Sequence, residues 1–227
     1  SIGASPLAAL VVAPPALEEF RGRHGDVMVR CRNGPYSELL AALMAGTVEF
    51  IICPVFDAIL DDSLAVDVLS SHQSVIVARA SNPLRHATRL SELADAEWIV
   101  NGPLDRGGSS LAQMFRRYGL GGPRVAMHCD SFVDAIAHVK RSDLLSLCPP
   151  CLEALDVADK VAIVDIQEKP PTQTILLIRH KHRVLSRHAF TLYEIVRKAG
   201  AGQPTAPAAD DGEKNPAGAN QVHARDH

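Results

Sequence analysis

Ser5 is followed by Pro6, and then by Leu7, Leu10, Val11 and Leu17 near helical spacing. A serine in that place reads as a helix N-cap. The proline then takes the first helical position, where its missing N–H costs nothing. Ser1-Ile2-Gly3-Ala4 reads as a strand end immediately before the cap. Strand, cap and helix in succession aim several free backbone N–H groups at one point, which is a seat for a carboxylate, sulfonate or phosphate. Ser109 and Asp130-Ser131 repeat the arrangement ahead of later helical patterns. The recurrence suggests a small-molecule receptor. The plain alternative is that each serine only caps its helix, which is worth about 1 kcal/mol.

A second pattern with chemistry is Cys148-Pro149-Pro150-Cys151. It follows an apolar strand and opens a predicted helix, whose N-terminus would lower a thiol pKa. The rest of the chain lacks the compact layout and the aromatic lead-in of a thiol oxidoreductase, so this stays an alternative. Cys31, Cys53 and Cys129 lie in or beside apolar runs and read as small core residues. Five cysteines are an odd count without a secreted-scaffold pattern, and a reducing cytoplasm is the simplest compartment. His72, His86, His128, His180 and His182 show no zinc-ligand spacing on one element. His128 sits near the carboxyl end of a predicted strand, where it reads either as cleft-facing or as structural. His180-Lys181-His182-Arg183 reads as a solvated basic turn. Arg106, in a loop over 101–108, reads either as a partner for an anionic ligand or as a solvated arginine. No Ser-His-Asp arrangement, phosphate loop or paired carboxylates stand out, so neither an enzyme nor a metal or cofactor site is expected.

These residues are positioned by alternating strands and helices. Strands are expected over 27–31, 48–55, 64–69, 74–78, 98–100, 125–129, 144–147, 161–164 and 174–178. Helices are expected from the start to about 20 and over 36–45, 90–94, 109–118, 131–141, 149–155 and 186–199. Gly46 closes the second of them. The alternation predicts an α/β fold with mostly parallel sheets. From 200 onward Ala, Pro, Gly, Asp and Asn dominate with hardly an apolar anchor, so 200–227 is expected to be a disordered tail.

Composition bounds the function. The chain has 227 residues, 47% hydrophobic, enough to bury a sizeable core. A formal net charge of −3 gives no electrostatic footprint for nucleic acid. No apolar run approaches the roughly 20 residues of a membrane helix. The chain begins with Ser1 already inside an element, so we expect it to be the C-terminal part of a longer protein.

Five segments carry a resemblance by their joint order and spacing: IGASPLAALVVAPPALEEFRGRHGDV, ELLAALMAGTVEFIICPV, SVIVARASNPL, LSELADAEWIV and HCDSFVDAIAHVKRSDLLSLCPPCL. Over all but the tail, the chain resembles the effector-binding domain of LysR-type transcriptional regulators. The resemblance implies two Rossmann-like subdomains joined by two crossover strands, similar to type II periplasmic binding proteins. Subdomain I would be 1–70 plus 175–199, and subdomain II 71–174. Ligands bind beyond the carboxyl ends of strands in open α/β sheets. The cleft would then be lined by Ser5-Pro6, Gly34-Pro35-Tyr36, Cys53-Pro54, Gly102-Pro103 with Arg106, Ser131, and the Pro-containing loop at Cys148-Pro149.

In the family a hydroxyl residue matching Ser5 commonly bonds the effector's acidic group. Gly34-Pro35 stand where relatives often carry another hydroxyl, which leaves backbone N–H groups, Tyr36 and Ser37. The implied function is the ligand-sensing and oligomerising part of a DNA-binding transcriptional regulator. Its winged helix-turn-helix would precede this sequence. The expected partners are a small organic anion (a carboxylate or sulfonate, aromatic ones included) and further copies of the chain, as an antiparallel dimer and, in the full-length protein, a tetramer. DNA would be bound only through the preceding domain, and the location would be cytoplasmic. Alternatives are a free-standing solute-binding protein of a transporter and a CxxC thiol protein.

Overall fold

The computed structural model describes residues 1–55, 61–101 and 109–201. Gly102, Pro103, Arg106 and residues 202–227 therefore lie outside the described residues. The chain opens with the buried strand β1 (Ile2–Ala4), then Ser5, then α1 (Pro6–Val11). The single helix expected here is two. The chain breaks at Val12 and restarts as α2 (Ala13–Arg23). Pro14 and Pro15 have no N–H to give the carbonyls one turn back, so they cannot continue α1. In the first turn of a new helix the loss costs nothing.

Next come β2 (Cys31–Asn33), α3 (Tyr36–Met44), β3 (Phe50–Val55), β4 (Leu64–Gln73) and β5 (Val75–Arg79). Two short 3₁₀ turns lead to β6 (Glu97–Asn101), α4 (Ser110–Arg117), β7 (Arg124–Cys129), α5 (Phe132–Val139) and β8 (Leu145–Cys148). A third 3₁₀ turn, β9 (Val161–Val164), β10 (Thr172–His180) and α6 (Arg187–Ala201) complete the order.

The strands form two five-stranded sheets, ordered β2-β1-β3-β10-β4 and β7-β6-β8-β5-β9. β1 pairs in parallel with β2 and β3, and β6 with β7 and β8. β10 runs antiparallel to β3 and β4, and β5 runs antiparallel to β8 and β9. Four of the five strands in each sheet therefore run the same way, as the alternation predicts. Both sheets are mixed only through β10 and β5, the strands by which the chain enters each sheet, which run in the opposite direction.

Four further expectations are corrected. The strand over 27–31 is displaced to Cys31–Asn33, the three residues that β1 can pair. Cys31 is consequently exposed on an edge strand and is not a core residue. The strand over 64–69 continues through Ser70-Ser71-His72-Gln73, because β10 supplies partners as far as Thr172↔Gln73. The helix over 149–155 shrinks to a three-residue 3₁₀ turn, Glu153–Leu155.

The largest apolar cluster joins the two sheets. It includes Ile2, Phe20, Phe50, Leu69, Ile175 and Tyr193 from one side and Val77, Ile99, Phe132 and Cys148 from the other. Trp98 and Phe115, ring centroids 5.7 Å apart, centre a second cluster, and Leu39, Leu43, Ile51, Cys53 and Ile178 form a third. Burying one such large side chain is worth about 1.5–3 kcal/mol.

Two polar clasps hold the last helix in place. The Ser186 N–H and Oγ donate to the Glu49 carboxylate at 2.6 and 2.8 Å, just ahead of α6. Arg183 donates to the carbonyls of Leu43 (2.7 Å) and Met44 (2.6 Å) at the end of α3. Gly46, at φ +73, lies under that guanidinium, where an added Cβ would come within 2.7 Å of it. Among the described residues no helix is long and apolar enough to cross a membrane.

Candidate functional site

Ser5 follows β1, and its N–H donates to the Ile52 carbonyl at 2.8 Å. It is buried, and its Oγ accepts from the Ala8 N–H at 3.2 Å while its carbonyl accepts from Ala9. Pro6 has no N–H, so Leu7 carries the one first-turn amide that these bonds leave unused. The seat is therefore poorer in free N–H groups than the sequence pattern suggests. Its distinctive donor is the Ser5 hydroxyl proton, because accepting from Ala8 leaves that proton available.

On the other side of β1, Asn33-Gly34-Pro35 leads into α3. Pro35 takes the N-cap position without a side-chain bond, and Glu38 in the first turn sits beside Gly34. Tyr36 packs on the cluster containing Cys53. Its hydroxyl pKa is raised, by burial first and then by Cys53 and Asp61. Cys53 itself is wholly buried, and burial pushes its thiol up to about 12. Pro54 is half-buried at the end of β3.

In the second sheet Ser131 caps α5, its Oγ accepting from the Val133 N–H at 3.2 Å. Ser109 caps α4 in the same way through Ala112. Asn101 ends β6 by donating to the Leu147 carbonyl (2.6 Å) and the Ser146 Oγ (3.2 Å), which fixes the strand end that leads to Cys148-Pro149. Cys148 and Pro149 are buried. Burial pushes Cys148 up to about 12 and Cys151 to about 11. Without a helix opening at Pro149, the N-terminal field that would activate these thiols is missing, and desolvation has the opposite effect. His128 is exposed. Among the described residues no His/Cys/Asp/Glu group is arranged to hold a metal ion.

A third part of the site escaped the sequence reading. The chain passes between the sheets at Gln73–Val75, and returns through Pro170 and Pro171. The Ser74 N–H donates to the Pro171 carbonyl (2.9 Å), and Gln73 Nε2 donates to that of Pro170 (3.2 Å). Ser71 Oγ and Thr174 Oγ1 are 3.0 Å apart, and His72 Nε2 and Ser70 Oγ 2.9 Å. Burial holds the His72 pKa below its ordinary value. The available signal was the unbroken polar run Ser70-Ser71-His72-Gln73-Ser74 between two apolar strands.

Comparison with known proteins identifies this arrangement. The family profile described as the LysR substrate binding domain matches residues 1–201. The SDS degradation transcriptional activation protein of Pseudomonas sp. (strain ATCC 19151) is 26% identical over 212 residues, 91% of this chain and 69% of that protein. The C-terminal domain of a probable LysR family transcriptional regulator from Rhodococcus sp. RHA1 is 25% identical, with a TM-score of 0.68 over 86% of this chain and 96% of that one. The BenM effector binding domain, solved with its effector benzoate, is similar in fold, with a TM-score of 0.70 at 16% identity over 88% of this chain and 90% of that one. Two mixed α/β sheets linked by two crossovers are the architecture of these domains and of type II periplasmic binding proteins. The chain belongs to the LysR substrate-binding domain family of transcriptional regulators.

Proposed function

We propose that this chain senses a small organic anion between its two lobes on behalf of a DNA-binding regulator. One observation carries the reading. Among the described residues the two sheets exchange the chain twice, at Gln73–Val75 and at Pro170-Pro171, and each lobe carries a capping serine, Ser5 in one and Ser131 in the other. On this reading lobe I is 1–70 with 175–199 and lobe II is 71–174. The ligand meets Ser5-Pro6, Gly34-Pro35-Tyr36, Pro54, Ser131 and Pro149, with Gly102, Pro103 and Arg106 added from their place in the sequence.

The Ser5 hydroxyl accepts from Ala8 and donates to the ligand's carboxylate or sulfonate. The benzoate carried by the BenM domain supports a carboxylate on a compact body. A ligand that prefers one lobe angle shifts the population toward it. In an oligomer that respaces the attached DNA-binding parts. The exposed side of the first helix and of 27–31 is the surface for antiparallel pairing, against lobe II of a second copy. Exposed Met28 in 27–31 and exposed Val125 in lobe II support that choice.

A thermal-shift screen of carboxylates and sulfonates tests the reading. At about a hundred times Kd a true effector adds about 2.7 kcal/mol, a rise of several degrees. A screen in which no small anion raises the melting temperature refutes the reading. Sedimentation that finds a monomer at every concentration refutes the pairing.

A further inference from the structure

Ser74 is the single residue between the last residue of β4 and the first of β5. It is 1% exposed, and its Oγ has no hydrogen-bond partner among the described residues. The rest of the polar run is engaged: Ser70 with His72, Ser71 with Thr174, and Gln73 with Pro170. Among the described residues the other orphaned buried side-chain atoms are the Ser63 Oγ and the Trp98 indole N–H. Ser63 belongs to the turn before β4, and Trp98 lies inside the apolar cluster of the second sheet. Ser74 alone stands where the lobes meet.

A buried hydroxyl without a partner is unfavourable, and the loss is recovered when a partner arrives. The other side chains of the polar run, Ser70 to Gln73, are hydroxyls, an amide and an imidazole with no fixed charge, so a neutral polar group suits this passage better than a second charge. We infer that Ser74 is a ligand contact at the floor of the cleft, taking a hydroxyl of an effector whose acidic group is held elsewhere. The effector class is accordingly a hydroxylated carboxylate. This rests on the anion-sensing reading above and adds the second attachment point.

Matched acids test it on the 227-residue chain: benzoate with 3- and 4-hydroxybenzoate, and cyclohexanecarboxylate with its 3-hydroxy derivative. Titration calorimetry of the unaltered protein should give one hydroxylated acid about fivefold to tenfold tighter binding than its parent, the value of one net hydrogen bond. In Ser74→Ala that ratio should fall to about one, while affinity for the parent acid is unchanged. The ligand-free melting temperature of Ser74→Ala should stay level or rise, since an unpaired hydroxyl is removed. A purely structural serine would lower it. A hydroxyl preference that survives in Ser74→Ala, or none in the unaltered protein, overturns the inference and leaves anion sensing intact. If none of these acids binds, the anion-sensing reading fails first and this inference falls with it.

Discussion

Ser5 caps a helix and, on the reading above, also donates to the ligand. Two substitutions separate those roles. Ser5→Ala removes the hydroxyl and leaves the Ala8 N–H without its 3.2 Å acceptor. An N-cap change of that kind costs about 1 kcal/mol. For a chain of this size that lowers the melting temperature by about 2–4 °C. Ser5→Gly also removes the hydroxyl, but glycine is a tolerated N-cap residue and costs only about 0.3 kcal/mol. A hydrogen bond to a charged group is worth about 1.5–3 kcal/mol, or roughly tenfold to a hundredfold in Kd. If the hydroxyl donates to the ligand, both variants lose that factor alike although their stabilities differ. If Ser5 acts only through its helix, the binding loss tracks the stability loss, and Ser5→Gly binds nearly as well as the unaltered protein. Calorimetry with the tightest carboxylate from the screen, beside scanning fluorimetry of the ligand-free proteins, reads both quantities. A Ser5→Gly protein with undiminished affinity refutes the contact.

Arg183→Ala should cost about 1–2 kcal/mol, because it uncaps the end of α3 and frees the turn before α6; urea denaturation measures it, and an unchanged midpoint would refute the clasp. Alkylation at pH 8 followed by peptide mass mapping should find Cys31 modified, with Cys53 and Cys148 protected while the protein is folded. Rapid labelling of Cys148 would contradict its burial. Because burial raises the Cys53, Cys148 and Cys151 pKa values above their unfolded value, their contribution is complete below about pH 9 and is lost as pH rises toward the folded values. Folding stability should therefore fall on the alkaline side, and a midpoint flat from pH 8.5 to 10.5 would refute this. Trp98 is the sole tryptophan, wholly buried against Phe115. Its emission should be blue-shifted and move red on unfolding, and Trp98→Ala should cost about 3–5 kcal/mol.

Local chemistry was readable from the sequence and long-range pairing was not. Ser5, Ser109 and Ser131 stand out as caps because a cap bonds within three residues of itself. Gly46 is recognisable because only glycine takes its positive φ without strain. The polar stretch from Ser70 to Gln73 looks like a loop in isolation. It becomes strand through partners a hundred residues away on β10. The displaced strand at Cys31 has the same cause, since β1 decides which residues it pairs. The break at Val12 was local and still escaped, because the apolar spacing of Leu7, Leu10 and Leu17 outweighed the two prolines. Of the site, the capping serines were visible. The spare hydroxyl of Ser74 was not, because its lack of a partner becomes evident only once its neighbours are seen to be paired.

The two passages between the lobes also set what kind of movement the domain can express. β4 and β10 stay hydrogen-bonded up to Gln73 and Thr172, so the connecting threads run side by side, about 4.8 Å apart. One thread is a single serine and the other a pair of prolines with fixed φ. Two parallel threads joined by cross-bonds resist sliding and twisting far better than bending. As far as these threads are concerned, the lobes are left on the proposed reading with one soft coordinate, the angle about an axis across both threads. On that reading, whatever is bound between them is reported to the rest of the molecule as a single number. Chemically unlike ligands that set the same angle would be indistinguishable downstream.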